Sequence, residues 1–338
     1  MSGATDAIAG TRTDCNASLV RMNDTRACLL VVGVLALAGL ELDCGGTSAS
    51  EAAPERDAGD AGDAGDAGDA GVVGGNLPRT LASCTTTIAA DAPEFYKKYF
   101  RCVTVTTATD GVVIETRSLP PHPSSYYGTA SPNYAPFDTS RGAQYHANPN
   151  VLTERAARVT VPNAPVAKGV VVTAALVDGE AQTSPLEFGL GPVGVALDSV
   201  PLFNAVAAPG DTIATERFTF DSYEGHPAPD GAYHYHSASR GPLEVLAANG
   251  LRATPTVGSA ELEVYGIMCD GTVVLGCTEL DGTARPTAGL DAQGGHVHDL
   301  KDKSGVVHFA NRYHAHVCEK DGGRAYTPEI QYYSTCTH

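Results

Sequence analysis

The chain has 338 residues with 22 Lys and Arg against 39 Asp and Glu, a net charge of −17, which argues against a nucleic-acid partner. From residue 80 onward the count is 17 basic against 27 acidic residues, so the acidity is not confined to the N-terminal part. With 37 Gly, 21 Pro and no Trp, the composition favours short strands and many turns over long helices.

Ala27 to Leu42 is the one strongly apolar run, and it follows Arg21 and Arg26. It reads as a secretory segment and is short for a membrane span, with Met22 as a second possible start. Cys44 before Gly-Gly-Thr-Ser is similar to a bacterial lipoprotein cleavage site, although Glu41 and Asp43 depart from that pattern. Residues 1–44 are thus expected to direct export, to the periplasm, an anchored position on the outer membrane or the exterior of a bacterium. Membrane contact is expected only through an N-terminal lipid. Residues 57–71 repeat Asp-Ala-Gly five times. They are small, acidic and have nothing to bury, so 45–79 is expected to be a disordered linker. The folded domain is expected over 80–338.

Residues 92–100 predict the one short helix, opened by Asp91 and Pro93. β-Branched runs bounded by Gly, Pro and Asp predict strands within 102–108, 111–119, 157–162, 169–177 and 191–203. The proline-rich stretch 120–149 predicts an ordered loop. Six cysteines follow residue 80 (Cys84, Cys102, Cys269, Cys277, Cys318 and Cys336), an even set that suits three disulfides in an oxidising compartment. Nearness in sequence pairs 84 with 102, 269 with 277 and 318 with 336.

An internal repeat follows. Residues 194–203 (GVALDSVPLF) align with 266–275 (GIMCDGTVVL), 220–227 (FDSYEGHP) with 290–297 (LDAQGGHV), and 233–236 (YHYH) with 313–316 (YHAH). Order and spacing agree at three anchors, defining halves near 186–240 and 258–320. The expected fold is all-β and mostly antiparallel, a sandwich or barrel-like assembly of two pseudo-repeated β units with long loops, its histidines meeting at the interface.

Alternate side chains on a strand share a face, so His234 and His236 point together while Tyr233 and Tyr235 point the other way. His314 and His316 repeat the arrangement, and a Gly-His turn upstream supplies His226 and His296, with His298 beside the latter. Three imidazoles in each half form a plausible metal-ligand set, whereas a lone His-x-His is more often a surface or core pair. Eight of the 11 histidines fall within 226–316, which favours ligation; His146, His308 and His338 read as ordinary residues. Asp221 and Asp291 recur beside the histidines, either orienting imidazoles from behind or capping turns. Glu224 has Gly294 as its counterpart and is a weak candidate base.

The runs GPVGVALDSVPLFN and FDSYEGHPAPDGAYHYHS resemble the YHYH-domain family of exported bacterial proteins, as does SLPPHPSSYYG at 118–128. That resemblance, over roughly 115–320, draws His122 into the candidate site. YHAH stands in the second half for YHYH, and Tyr223 and Gln293 stand where the family has Cys. The family implies fold and location rather than a reaction. Phosphate-loop, nucleophile-elbow and His-Glu-x-x-His signatures are absent from the sequence. An imidazole-rich set suits copper or zinc better than calcium or magnesium.

The leading expectation is an exported, tethered β domain binding one or two transition-metal ions, with no assignable catalytic residue. The alternatives are a copper oxidoreductase or zinc hydrolase, and a carbohydrate- or peptide-recognition module. In that module Tyr126, Tyr127, Tyr233 and Tyr235 would meet a small-molecule or surface ligand while the histidines serve as scaffold.

Overall fold

Short β-branched runs cannot stand alone in water, and in a computed structural model they pair into two mixed sheets. The structure describes residues 77–179, 186–208, 211–319 and 325–338. The expected export segment, the Asp-Ala-Gly tether, Cys15, Cys28 and Cys44 lie outside the described residues.

The smaller sheet takes β1 (Thr87–Ile88), β2 (Thr104–Thr107), β3 (Gly111–Thr116) and β4 (Ala157–Pro162) in that spatial order. In β4 the buried Ala157, Val159 and Val161 alternate with the exposed Arg158, as a strand covered on one face should. Helix α1 (Glu94–Tyr99) starts after Pro93, whose fixed φ suits a helix start, and buries Phe95, Tyr96 and Tyr99. Two bonds fasten this layer to the larger sheet: Arg101 N–H donates to Leu197 O at 2.8 Å, and Thr116 Oγ1 donates to Ser199 O.

The larger sheet is built from β5 (Gly194–Ala196), β6 (Pro201–Leu202), β7 (Gly225–Pro227), β8 (Tyr233–Tyr235), β9 (Val264–Met268), β10 (Val273–Leu275), β11 (Gly295–Lys301) and β12 (Val307–His316). Two helices, α2 (Ile213–Glu216) and α3 (Arg240–Ala248), interrupt the run. The spatial order is β11-β12-β10-β9-β5-β6-β8-β7. Read outward from the centre, each strand of one half faces its repeat counterpart at the same rank in the other. At the centre Val195 pairs with Ile267, flanked by Gly194 with Met268 and Ala196 with Gly266. These pairs exchange when each residue is replaced by its counterpart 72 positions away, so a pseudo-two-fold axis passes between Val195 and Ile267. The outer ladders obey the same rule: His226 pairs with His234, and His296 with His314.

The all-β fold is as expected, and of its two alternatives the sheets are sandwich-like and not closed into a barrel. Three expectations need correction. The histidines do not meet at the interface between halves, because the central axis puts β5 and β9 there and sends β8 and β12 outward. Five strand spacings separate those two, about 24 Å along the sheet. Residues 169–177 form no strand: Val171 is 78% exposed, and only Val172 turns inward. Helix α3 was hidden by its Gly241-Pro242 pair, which reads as a breaker. Proline is tolerated in a first turn, and Ser239 caps the end by accepting from Gly241 N at 3.1 Å.

The disulfides are Cys84–Cys102, as expected, with Cys269–Cys336 and Cys277–Cys318 in place of the nearest-neighbour pairs. Cys269 and Cys277 flank opposite ends of β10, which keeps them apart. β10 and β12 run parallel with Leu275 beside His316, so two residues further on Cys277 meets Cys318. Proteolysis of the non-reduced protein followed by mass spectrometry should therefore yield linked peptides containing Cys277 with Cys318 and Cys269 with Cys336, and none linking Cys269 to Cys277.

Candidate metal centres

Each histidine cluster begins with a turn. Asp221 N–H donates to Gly225 O and Asp291 N–H to Gly295 O, both at 2.9 Å, closing equivalent loops. Glu224 and Gly294 occupy the same left-handed position in these loops, with φ of 59° and 77°. The glycine before each histidine has a different cause: a Cβ on Gly225 or Gly295 would run into the ring of Tyr233 or Tyr313. The tyrosine lies across the glycine and donates its hydroxyl to the aspartate, Tyr233 to Asp221 Oδ2 at 2.9 Å and Tyr313 to Asp291 Oδ2 at 2.7 Å. This clasp holds the two strands of each outer ladder in register, which sets His226 opposite His234 and His296 opposite His314.

In the first half the three side chains are buried, and Nε2 of His234 lies 3.0 Å from that of His226 and 2.9 Å from that of His236. The other ring nitrogens fix the tautomers. Nδ1 of His236 faces Asn204 O at 2.6 Å, and Nδ1 of His234 faces Ala232 O at 3.0 Å; a carbonyl only accepts, so both nitrogens carry hydrogen. Thr219 Oγ1 donates to Glu216 O at 2.8 Å and so accepts from His226 Nδ1 at 2.7 Å. Asn148 Nδ2, 3.4 Å from that nitrogen, donates more closely to Pro227 O at 3.0 Å. All three Nε2 atoms therefore turn lone pairs toward one another, an arrangement that only a cation between them makes favourable. A proton is a poor candidate, since burial pushes His236 down to about 4 and, with the neighbouring imidazoles, pushes His226 and His234 well below their usual range. Phe203 stacks on His234 at 3.8 Å and Phe220 lies 4.8 Å from His226, lining the cluster with apolar surface. Glu216, at the end of α2, brings Oε1 to 3.5 Å from His226 and Oε2 to 3.9 Å from His236, and burial raises its carboxyl to about 7.

In the second half Glu279 stands among the imidazoles. Its Oε1 is 3.2 Å from His296 Nε2 and 3.3 Å from His316 Nε2, and its Oε2 is 3.2 Å from His314 Nε2. His296 and His316 bring their Nε2 atoms to 3.2 Å. Nδ1 of His316 donates to Gly276 O at 2.8 Å and that of His314 to Arg312 O at 3.1 Å, again freeing Nε2. Neither oxygen of Glu279, nor Nε2 of His314, makes a hydrogen bond. Their spacing is instead that of neighbouring ligands on one ion: tetrahedral bonds of about 2.0–2.1 Å put ligand atoms about 3.3 Å apart. Glu279, His296, His314 and His316 form one group that could hold a metal ion, and His226, His234 and His236 form another. Cys269, Cys336 and His338 also lie together, but the two sulfurs are joined to each other.

Other candidates are placed elsewhere. His122 is not brought to the first cluster: it lies on the tyrosine face, where Nε2 meets Tyr235 Oη at 2.8 Å and the ring stacks on Tyr223 at 3.6 Å. Asp221 and Asp291 orient no imidazole, since the strand period sends them to the tyrosines and the turn backbone. His298 lies at the exposed rim of the second cluster. Glu224 pairs with Arg141, and His308 with Asp302. Tyr126, Tyr233 and Tyr235 are buried and Tyr127 is partly so, with hydroxyls committed to Thr219 O, Asp221, Asp198 and Pro120 O, so they offer no aromatic face to a ligand. Glu216 and Glu279 escaped the sequence reading because they sit 10 and 17 residues before the Gly-His histidines, at no matching spacing.

The fold and site define a β protein with a histidine cluster near each end of one pseudo-symmetric sheet. The family model described as YHYH protein matches residues 173–291, which include Gly225-His226 and Tyr233 to His236, so the chain carries a YHYH domain there. That match is narrower than the expected 115–320 and leaves out His122 and the histidines of β11 and β12. No curated protein and no solved structure matches the chain. Among the described residues no helix is long and apolar enough to cross a membrane.

On the tyrosine face, burial raises Asp198 to about 7, against a carboxylate value of 3.8, while Tyr235 donates to it at 2.8 Å. Between those values the folded chain holds a proton that the unfolded chain has released, so this residue's contribution to stability is greatest below pH 4 and falls as pH rises toward 7. The difference in unfolding free energy between the wild type and Asp198→Asn, measured by chemical denaturation, should shift against the wild type across that window by on the order of 1 kcal/mol per pH unit. A difference independent of pH would show the carboxyl to be ionised throughout.

Proposed function

We propose that the chain is an exported, tethered β domain that binds transition-metal ions, copper or zinc, with a centre in each half. The observation that carries this reading is the convergence of three buried Nε2 lone pairs from His226, His234 and His236, whose hydrogens are committed elsewhere. The imidazole and carboxylate donors of the second half suit the same borderline metals. Three disulfides support the export reading, because such bonds persist in oxidising compartments.

A catalytic role, as zinc hydrolase or copper oxidoreductase, is the second reading, and it belongs to the second half. The first cluster is enclosed, whereas the side chains of His296 and His298 are 17% and 41% exposed, leaving that centre reachable by water and a small substrate. A metal there would lower the pKa of bound water or cycle electrons.

Metal content by inductively coupled plasma mass spectrometry tests the proposal. The full chain would be produced in an oxidising compartment and purified without chelator or affinity tag. The double variants His234→Ala/His236→Ala and His314→Ala/His316→Ala should each lose the metal of their own half and keep that of the other. A wild-type chain that is empty and resists reloading would sink the metal reading.

A further inference from the structure

We propose that the second-half centre holds two metal ions bridged by Glu279, with His298 as a ligand of the second ion. This rests on the metal reading of that centre and goes beyond it in number and arrangement. The four imidazoles around Glu279 divide by oxygen. His296 and His316 approach Oε1 at 3.2 and 3.3 Å, while His298 and His314 both approach Oε2 at 3.2 Å. Each oxygen thus has its own pair of nitrogens at the ligand–ligand spacing of a single ion.

One ion does not account for this set. The residues whose donor atoms lie close enough together for one ion are Glu279, His296, His314 and His316, and His298 is not among them. Yet His298 is placed on the same carboxylate as deliberately as the others: β11 puts it on the same face as His296, and its Nδ1 donates to Asp299 O at 2.8 Å, leaving Nε2 free to face Glu279. A carboxylate that binds through both oxygens spans two ions about 3.5–4 Å apart, the separation found in two-metal sites. Glu279 is 9% exposed and neither of its oxygens makes a hydrogen bond, so both are available for such a bridge. Each ion would then have two imidazoles and one carboxylate oxygen, with room left toward the exposed rim for water or a shared hydroxide.

The first half is an internal control. The counterpart of His298 there is Ala228, and Glu216 stands 3.5 and 3.9 Å from only two of the three imidazoles. It offers one position.

The test uses the full chain carrying His234→Ala/His236→Ala, so that only the second half binds, loaded with Cu(II). The expected result is two copper ions per chain and the half-field electron paramagnetic resonance transition of a coupled copper pair. Adding His298→Ala should reduce the content from two ions to one and abolish that transition. Circular dichroism, together with metal retention in the first half of a chain carrying His298→Ala alone, would show that the variant folds. One ion per chain, unaffected by His298→Ala and without a half-field transition, would overturn the bridged pair while leaving the metal reading intact. No copper in the His234→Ala/His236→Ala chain would overturn both for this half.

Discussion

Both histidine clusters depend on a hydroxyl–carboxylate bond made on the other side of the sheet. Tyr233 to Asp221 and Tyr313 to Asp291 clamp a tight turn against the neighbouring strand, and the ring crosses a glycine that has no side chain to obstruct it. Because a strand alternates its side chains, fixing the tyrosine on one face fixes the histidines on the other. A slip of one residue would turn the imidazoles away from their partners and bring the tyrosines in their place. The motif is therefore a register device whose two faces do different work: one holds the ladder, and the other presents nitrogen.

This division explains what could be read from the sequence. The strand period and the repeat were enough to group His226, His234 and His236, and His296, His314 and His316, because ligands on paired strands keep fixed spacings. The same logic misassigned Asp221 and Asp291, since closeness in sequence to a histidine says nothing about which face a turn carboxylate reaches. His122 was drawn in by resemblance and belongs to the tyrosine side. Glu216 and Glu279 come from a helix end and a loop turn, elements with no period to betray them. The topology was the least legible part. A tandem repeat implies related halves, but whether they join centrally or at their edges depends on which strands are left unpaired, and here β5 and β9 join. The disulfides followed that topology and not chain distance.

The two centres share a frame and differ in chemistry. In the first, hydrogen-bonded Nδ1 atoms, apolar rings and deep burial make an enclosed set of neutral donors. In the second, a carboxylate stands among the imidazoles and the rim opens to solvent. The strands are equivalent in the two halves, so Ala228 against His298 is a change of side chain alone, whereas Glu216, at the end of α2, and Glu279, in a loop, come from different connecting backbone.

The Cys277–Cys318 bond lies two residues from both Glu279 and His316 and closes the parallel ends of β10 and β12. Before oxidation the same corner presents two thiols, which are softer donors than imidazole and would draw copper or zinc away from the histidines. After oxidation those sulfurs no longer compete, and the loop bearing Glu279 is tethered beside the strand bearing His316. If the proposed centre binds metal, the redox state of this corner decides which donors an ion meets there.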